Sequence, residues 1–194
     1  MKFLISISRM IDTINEKIGH AVSWALLIAV LICTGNSLRR YIFSSSSNGW
    51  LEIQWYLFAA VFLLGTSYTL RRNEHVRIDV ISGRFSKRTQ VWLDIFGFVF
   101  FLLPMAGLIL YFAVPFALVS IRSQEVSSNA GGLIVWPAKL LIPIGFFMLS
   151  MQGVSELIKR IGFLQGLIPA SEFDKHAATP EEEIEAIKAA NNLK

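Results

Sequence analysis

Residues able to do chemistry are sparse in this chain and lie at the edges of long apolar runs. Lys139 stands a turn or so inside the fourth apolar run, where a charge is costly unless it is paired or reaches the interface. Glu52 falls at about the same depth on the second run, and Glu125 lies in the connection before the fourth. Three readings of Lys139 follow: an ion pair with Glu52 (Glu125 being a second candidate partner), a polar contact to another membrane protein, or snorkelling to lipid headgroups. At the opposite end of the runs, His20, Arg71, Arg72, Asp94 and Glu156 are expected to form a second polar layer, with Asp94 meeting Arg71 or Arg72. A structural role is the first reading of such a layer and ion transport the second.

The middles of the runs carry no Asp, Glu, His, Lys or Arg, whereas a self-sufficient transporter places its substrate and ion sites there. The three histidines, His20, His75 and His176, are not paired across the runs, which disfavours a haem-binding bundle. No nucleophile–base arrangement, metal-ligand cluster or phosphate loop is legible, so no catalytic residue, metal or cofactor is expected. Cys33 has no second cysteine to pair with and reads as a small buried hydrophobe.

These residues must be positioned by membrane helices. Hydrophobic residues make up 54% of the 194, charged residues only 16%, and mean hydropathy is +0.53, which is membrane-protein composition. The net charge of +4 is carried by the loops, and nucleic-acid binding is not indicated. The expected fold is an all-α integral membrane protein with four transmembrane helices, at about 18–38, 51–70, 91–119 and 137–157, plus interfacial amphipathic segments. Residues 1–17 are amphipathic and form either an interfacial helix or an extension of the first span; Arg9 and Asp12 argue against a cleaved signal peptide. Asn36 is a candidate to hydrogen-bond a neighbouring helix. The third span exceeds the bilayer's need and is expected to tilt or kink at Pro104 or Pro115. Gly145 and Gly153 permit close helix approach in the fourth. Residues 163–194 read as a soluble tail, with Thr179-Pro180 starting a short helix over 180–190. Trp50, Trp55, Trp92 and Trp136 near span ends fit an aromatic belt facing lipid.

Fourteen of the 18 lysines and arginines fall in the N-terminal segment, the 71–90 connection and the tail, which share one side if the spans number four. Both termini are therefore expected to be cytoplasmic.

Two stretches, EIQWYLFAAVFLLGTSYTLRRNEHVRIDV and SSNAGGLIVWPAKLLIPIGF, resemble the small membrane subunit of tripartite ATP-independent periplasmic (TRAP) transporters, and the likeness spans about residues 5–162. The tail after Gly166 is outside the pattern. Glu52, Trp55, Arg71, Arg72, His75, Arg77, Asp79, Asn129, Trp136, Pro137 and Lys139 match it by position; Gln54 and Asp94 join them as polar interface or structural candidates. The resemblance implies a bacterial inner-membrane subunit that binds a large, many-span transport subunit. That partner carries the substrate and ion sites, and a periplasmic binding protein delivers the solute. It further implies ion-gradient-driven import, usually sodium-coupled, of organic acids; the two stretches are similar to a branch associated with carboxylates such as 2-oxoacids, which also holds systems for other solutes. The competing readings are an independent small transporter or channel and a membrane-bound enzyme or redox subunit.

Overall fold

The computed structural model describes residues 2–45, 47–72 and 85–169. Four helices are long and apolar enough to cross a membrane. They are α1 (Lys2–Phe43), α2 (Asn48–Arg72), α3 (Lys87–Ser123) and α4 (Trp136–Leu164). The 71–90 connection and the tail helix expected over 180–190 lie largely or wholly outside the described residues, as do His75, Arg77 and Asp79. Among the described residues the one piece of extended pairing is an isolated antiparallel bridge between Val126 and Ile134.

The α1–α2 and α3–α4 hairpins join through α4, which packs against all three other helices. The packing is inverted relative to a water-soluble bundle. Large apolar side chains such as Phe62, Phe100, Met105, Phe112 and Val119 point outward, while the buried set includes Ser8, Asn15, Ser67, Ser120, Gln152 and Ser155. Lipid solvates an outward-facing phenyl ring as well as a protein core does, so what drives helices together is close backbone approach and hydrogen bonding. Small residues supply the approach: Ala106, Ala113, Ala117 and Ser120 form one buried stripe of α3. Cys33, expected inside, is exposed on this outer surface instead.

Residues 2–17 continue α1 without a break, which selects the extension over a separate interfacial helix. The reason is a polar stripe, Ser8, Asp12 and Asn15, at successive turns of one helical face. It bonds α4: Asn15 donates to the Gln152 side-chain oxygen at 2.6 Å, and the Ser8 and Ser155 hydroxyls lie 2.6 Å apart.

In α3 the regular hydrogen-bonding changes before Pro104. Phe98–Leu102 form a π-helical turn in which Leu103 N–H donates to the Phe98 carbonyl. Proline has no N–H to give and its ring crowds the carbonyl four residues back, here Phe100; widening the preceding turn relieves both. Pro115 sits within regular helix.

At Gly145 a Cβ atom would lie 2.8 Å from both the Cβ and the carbonyl oxygen of Leu63 on α2. Because one of those atoms is backbone, Gly145→Ala is expected to push α2 from α4 and cost about 1–3 kcal/mol. Gly107 has nothing within 4 Å of its would-be Cβ, so Gly107→Ala should leave stability unchanged or slightly raised. Melting temperatures of the two variants in detergent check this; equal temperatures would contradict the close contact.

Candidate functional site

Polar residues gather at the two ends of α4. At the N-terminal end of α4, α3 stops with Gln124 in the left-handed conformation (φ 46°), closed by Gln124 N–H to the Ile121 carbonyl and Glu125 N–H to the Ser120 carbonyl. The chain then turns back on itself. Ser127 N–H donates to the Leu133 carbonyl and Val135 N–H to the Glu125 carbonyl, both at 2.9 Å, which closes a small hairpin over residues 125–135. Its tip requires glycine: Gly131 has φ 71°, and a Cβ on Gly132 would lie 2.6 Å from that of Ser127.

One face of α2 holds this hairpin. Asn48, Glu52 and Tyr56 are spaced one turn apart. Asn48 donates to the Ala130 carbonyl at 2.9 Å and the Tyr56 hydroxyl to the Ile134 carbonyl at 3.0 Å. Buried Glu52 accepts from Leu133 N–H at 2.6 Å, Asn129 Nδ2 at 2.9 Å and the Ser127 hydroxyl. Glu52 therefore does not pair with Lys139, because three hydrogen-bond donors of the hairpin already surround its carboxylate.

Lys139 takes the other candidate, Glu125, at 2.5 Å, with its ammonium 4.3 Å from the centre of the Phe116 ring. The Lys139 ammonium and then the Ser120 hydroxyl, at 2.7 Å, hold the Glu125 carboxyl below the ordinary carboxylate range. The pair thus ties the base of the hairpin to α3 and α4. Trp136 opens α4, half-buried, with Pro137 in the first turn. Trp55 is exposed on the outer surface and Gln54 is half-buried.

The other end of α4 holds a buried ionic cluster. Gln152, Ser155, Glu156, Lys159 and Arg160 lie on one stripe of the helix, and all are buried. Lys159 bridges Glu156 and Asp12 of α1, the latter at 3.0 Å. Arg160 bonds Glu156 at 2.5 Å and Asp94 of α3 at 3.0 Å, and its guanidinium sits 4.7 Å from the Phe98 ring centre. The π-helical turn of α3 begins at that phenylalanine. Gln152 donates to Asp12 at 2.9 Å and to Glu156 at 3.1 Å. Three carboxylates thus enclose two cations.

The expected single layer is split in two. Asp94 meets Arg160 rather than Arg71 or Arg72, because α3 packs on α4. Arg71 pairs with Glu16 of α1 at 3.0 Å, while Arg72 lies over the Tyr68 ring at 4.9 Å. The His20 ring lies 5.9 Å from the Tyr68 ring, away from the Arg160 cluster. Asp12, Asn15, Gln152, Lys159 and Arg160 were missed as partners. Their signal is a polar residue every third or fourth position on α1 and α4, which the stronger apolar stripe of residues 1–17 overshadows. Among the described residues, no group of three or more His, Cys, Asp or Glu is arranged to hold a metal ion.

The two ends should respond differently to loss of one charge. Glu156→Gln leaves Lys159 and Arg160 short of a buried counter-charge and is expected to cost about 3–5 kcal/mol of global stability. Glu52→Gln puts an amide donor among donors and should free residues 126–134 while the bundle melts nearly as before. Hydrogen exchange by peptide, read beside thermal melts, distinguishes them; fast exchange throughout the bundle in Glu52→Gln would contradict a purely local role.

No curated protein and no solved structure matched the chain in the comparisons made. The family model described as "Tripartite ATP-independent periplasmic transporters, DctQ component" matches residues 28–162, well over half of the sequence. That segment takes in α2, α3, the Glu52-held hairpin and nearly all of α4. With four membrane-spanning helices and this match, the chain belongs to the DctQ family, the small permease component of TRAP transporters.

Proposed function

We propose that this chain is the accessory membrane subunit that binds and braces the large transport subunit, for ion-gradient-driven import of an organic acid delivered by a periplasmic binding protein. The observation that carries the reading is where charge lies in the fold. Every described ion pair sits near one end or the other of the helix bundle, tied off within this chain, while the broad outer surface is apolar. A transporter acting alone needs polar groups lining a path through its middle. An accessory subunit needs a rigid body with an apolar face for lipid and partner, which suits this arrangement. Membership of a transporter-component family favours it over a redox enzyme. A carboxylate solute and sodium as the coupling ion are the finer part of the proposal and rest on the sequence resemblance.

Both termini are placed on the cytoplasmic side of a bacterial inner membrane, from the bias of lysine and arginine. This puts the 125–135 hairpin in the periplasm. With Cys33→Ser as background, Ser128→Cys should react with a membrane-impermeant maleimide added to spheroplasts. Labelling only in inverted vesicles would reverse the orientation.

The functional test is co-expression with the neighbouring large membrane subunit and a binding protein. The expected result is a one-to-one complex in mild detergent, with carboxylate uptake only when all three are present. Lys139→Ala should then lower assembly or uptake and leave the order of solute preference unchanged. Uptake by this chain alone in proteoliposomes, or a changed solute preference, would overturn the accessory role.

A further inference from the structure

A groove of about 400 Å³ opens where the outer ends of α1 and α2 meet, within the size range of small-ligand sites. Its wall is apolar, made by Ile28, Leu31 and Ile32, and its upper end is polar, with Asn36, Arg39 and Trp50. The α1 residues share one face, since 28, 32, 35 and 39 recur at alternating intervals of four and three.

Two features at the polar end call for a ligand. The side-chain oxygen of Asn36 is buried and has no hydrogen-bond partner among the described residues, so the neighbouring helix does not supply the donor expected from the sequence. A buried acceptor left unmade is costly, most of all where lipid replaces water. Arg39 and the adjacent Arg40 are exposed and pair with no carboxylate among the described residues, whereas Arg71, Lys139, Lys159 and Arg160 all do. Trp50 at the rim is the residue type that settles at headgroup depth.

An occupant must therefore offer an apolar tail, an anionic group and a neutral hydrogen-bond donor within one molecule. We propose that the groove binds one phosphatidylglycerol. Its acyl chain would lie on Ile28, Leu31 and Ile32, its phosphate on Arg39, and a glycerol hydroxyl would donate to the Asn36 oxygen. Phosphatidylethanolamine has a donor, but its ammonium would stand beside two unpaired arginines; phosphatidylcholine has no donor. The site is distinct from both polar ends of α4 and does not depend on which solute the transporter carries.

The test is thermal stability of the full-length chain in detergent, alone and in complex with the large subunit. Phosphatidylglycerol, phosphatidylethanolamine and phosphatidylcholine are each titrated, and native mass spectrometry counts retained lipid. Phosphatidylglycerol should raise the melting temperature and be retained as a single copy, in both preparations and in preference to the other two. Arg39→Gln lies on the surface and should leave the lipid-free melting temperature unchanged, while binding weakens by about fivefold. Asn36→Leu removes the unmet acceptor, so it should melt higher without lipid and lose most of the phosphatidylglycerol-dependent gain. The proposal is overturned if the three lipids act alike, if neither substitution changes retention, or if binding vanishes in the complex, which would mean that a partner side chain fills the groove.

Discussion

A charge that leaves water inside a membrane helix bundle must find its counter-charge in the protein, and Glu156 is where this chain meets that demand. Its carboxylate is almost fully buried and binds Lys159 and Arg160 of its own helix. Those two cations then reach outward, one to Asp12 on α1 and the other to Asp94 on α3. Three helices are thereby fixed in rotation and in height. An apolar interface in lipid cannot do this, because neighbouring registers differ little in energy when tails solvate side chains as well as other helices do. A buried ionic network discriminates sharply, since a shift of one residue would strand a charge. The π-helical turn belongs to the same arrangement: it starts at Phe98, whose ring lies against the Arg160 guanidinium.

The opposite end solves the same problem with different parts. Here the counterpart of a buried carboxylate is a loop. Glu52 is satisfied by one backbone N–H and two side-chain donors of the 125–135 hairpin, so an irregular segment becomes a lid folded onto α2. The Glu125–Lys139 pair anchors the hairpin's base to α4. Since α4 packs against every other helix, both polar ends transmit their constraints through it. The molecule is cross-linked by polar contacts at its two ends and apolar between them, with much outward-facing aromatic and aliphatic surface. These properties suit the accessory role proposed above, which asks for no substrate site within this chain.

The all-helical fold, the four helices long and apolar enough to span, and the family were legible in the sequence, because hydropathy over some twenty residues and the placement of arginines are properties of the chain alone. Lys139 and Glu52 could be picked out for the same reason: a charge at membrane depth is conspicuous in any order of packing. Which charge meets which is another matter. Asp94 was expected near Arg71 or Arg72 and lies instead on Arg160, and Glu52 turns to a hairpin rather than to Lys139. These choices follow from the neighbours of α4 and from the backbone donors that a two-glycine turn presents, and neither is written in any local pattern. Residues 2–17 illustrate the limit from the other side. Their apolar stripe and their polar stripe are both visible in the sequence, and only the polar partners waiting on α4 decide that the segment continues α1.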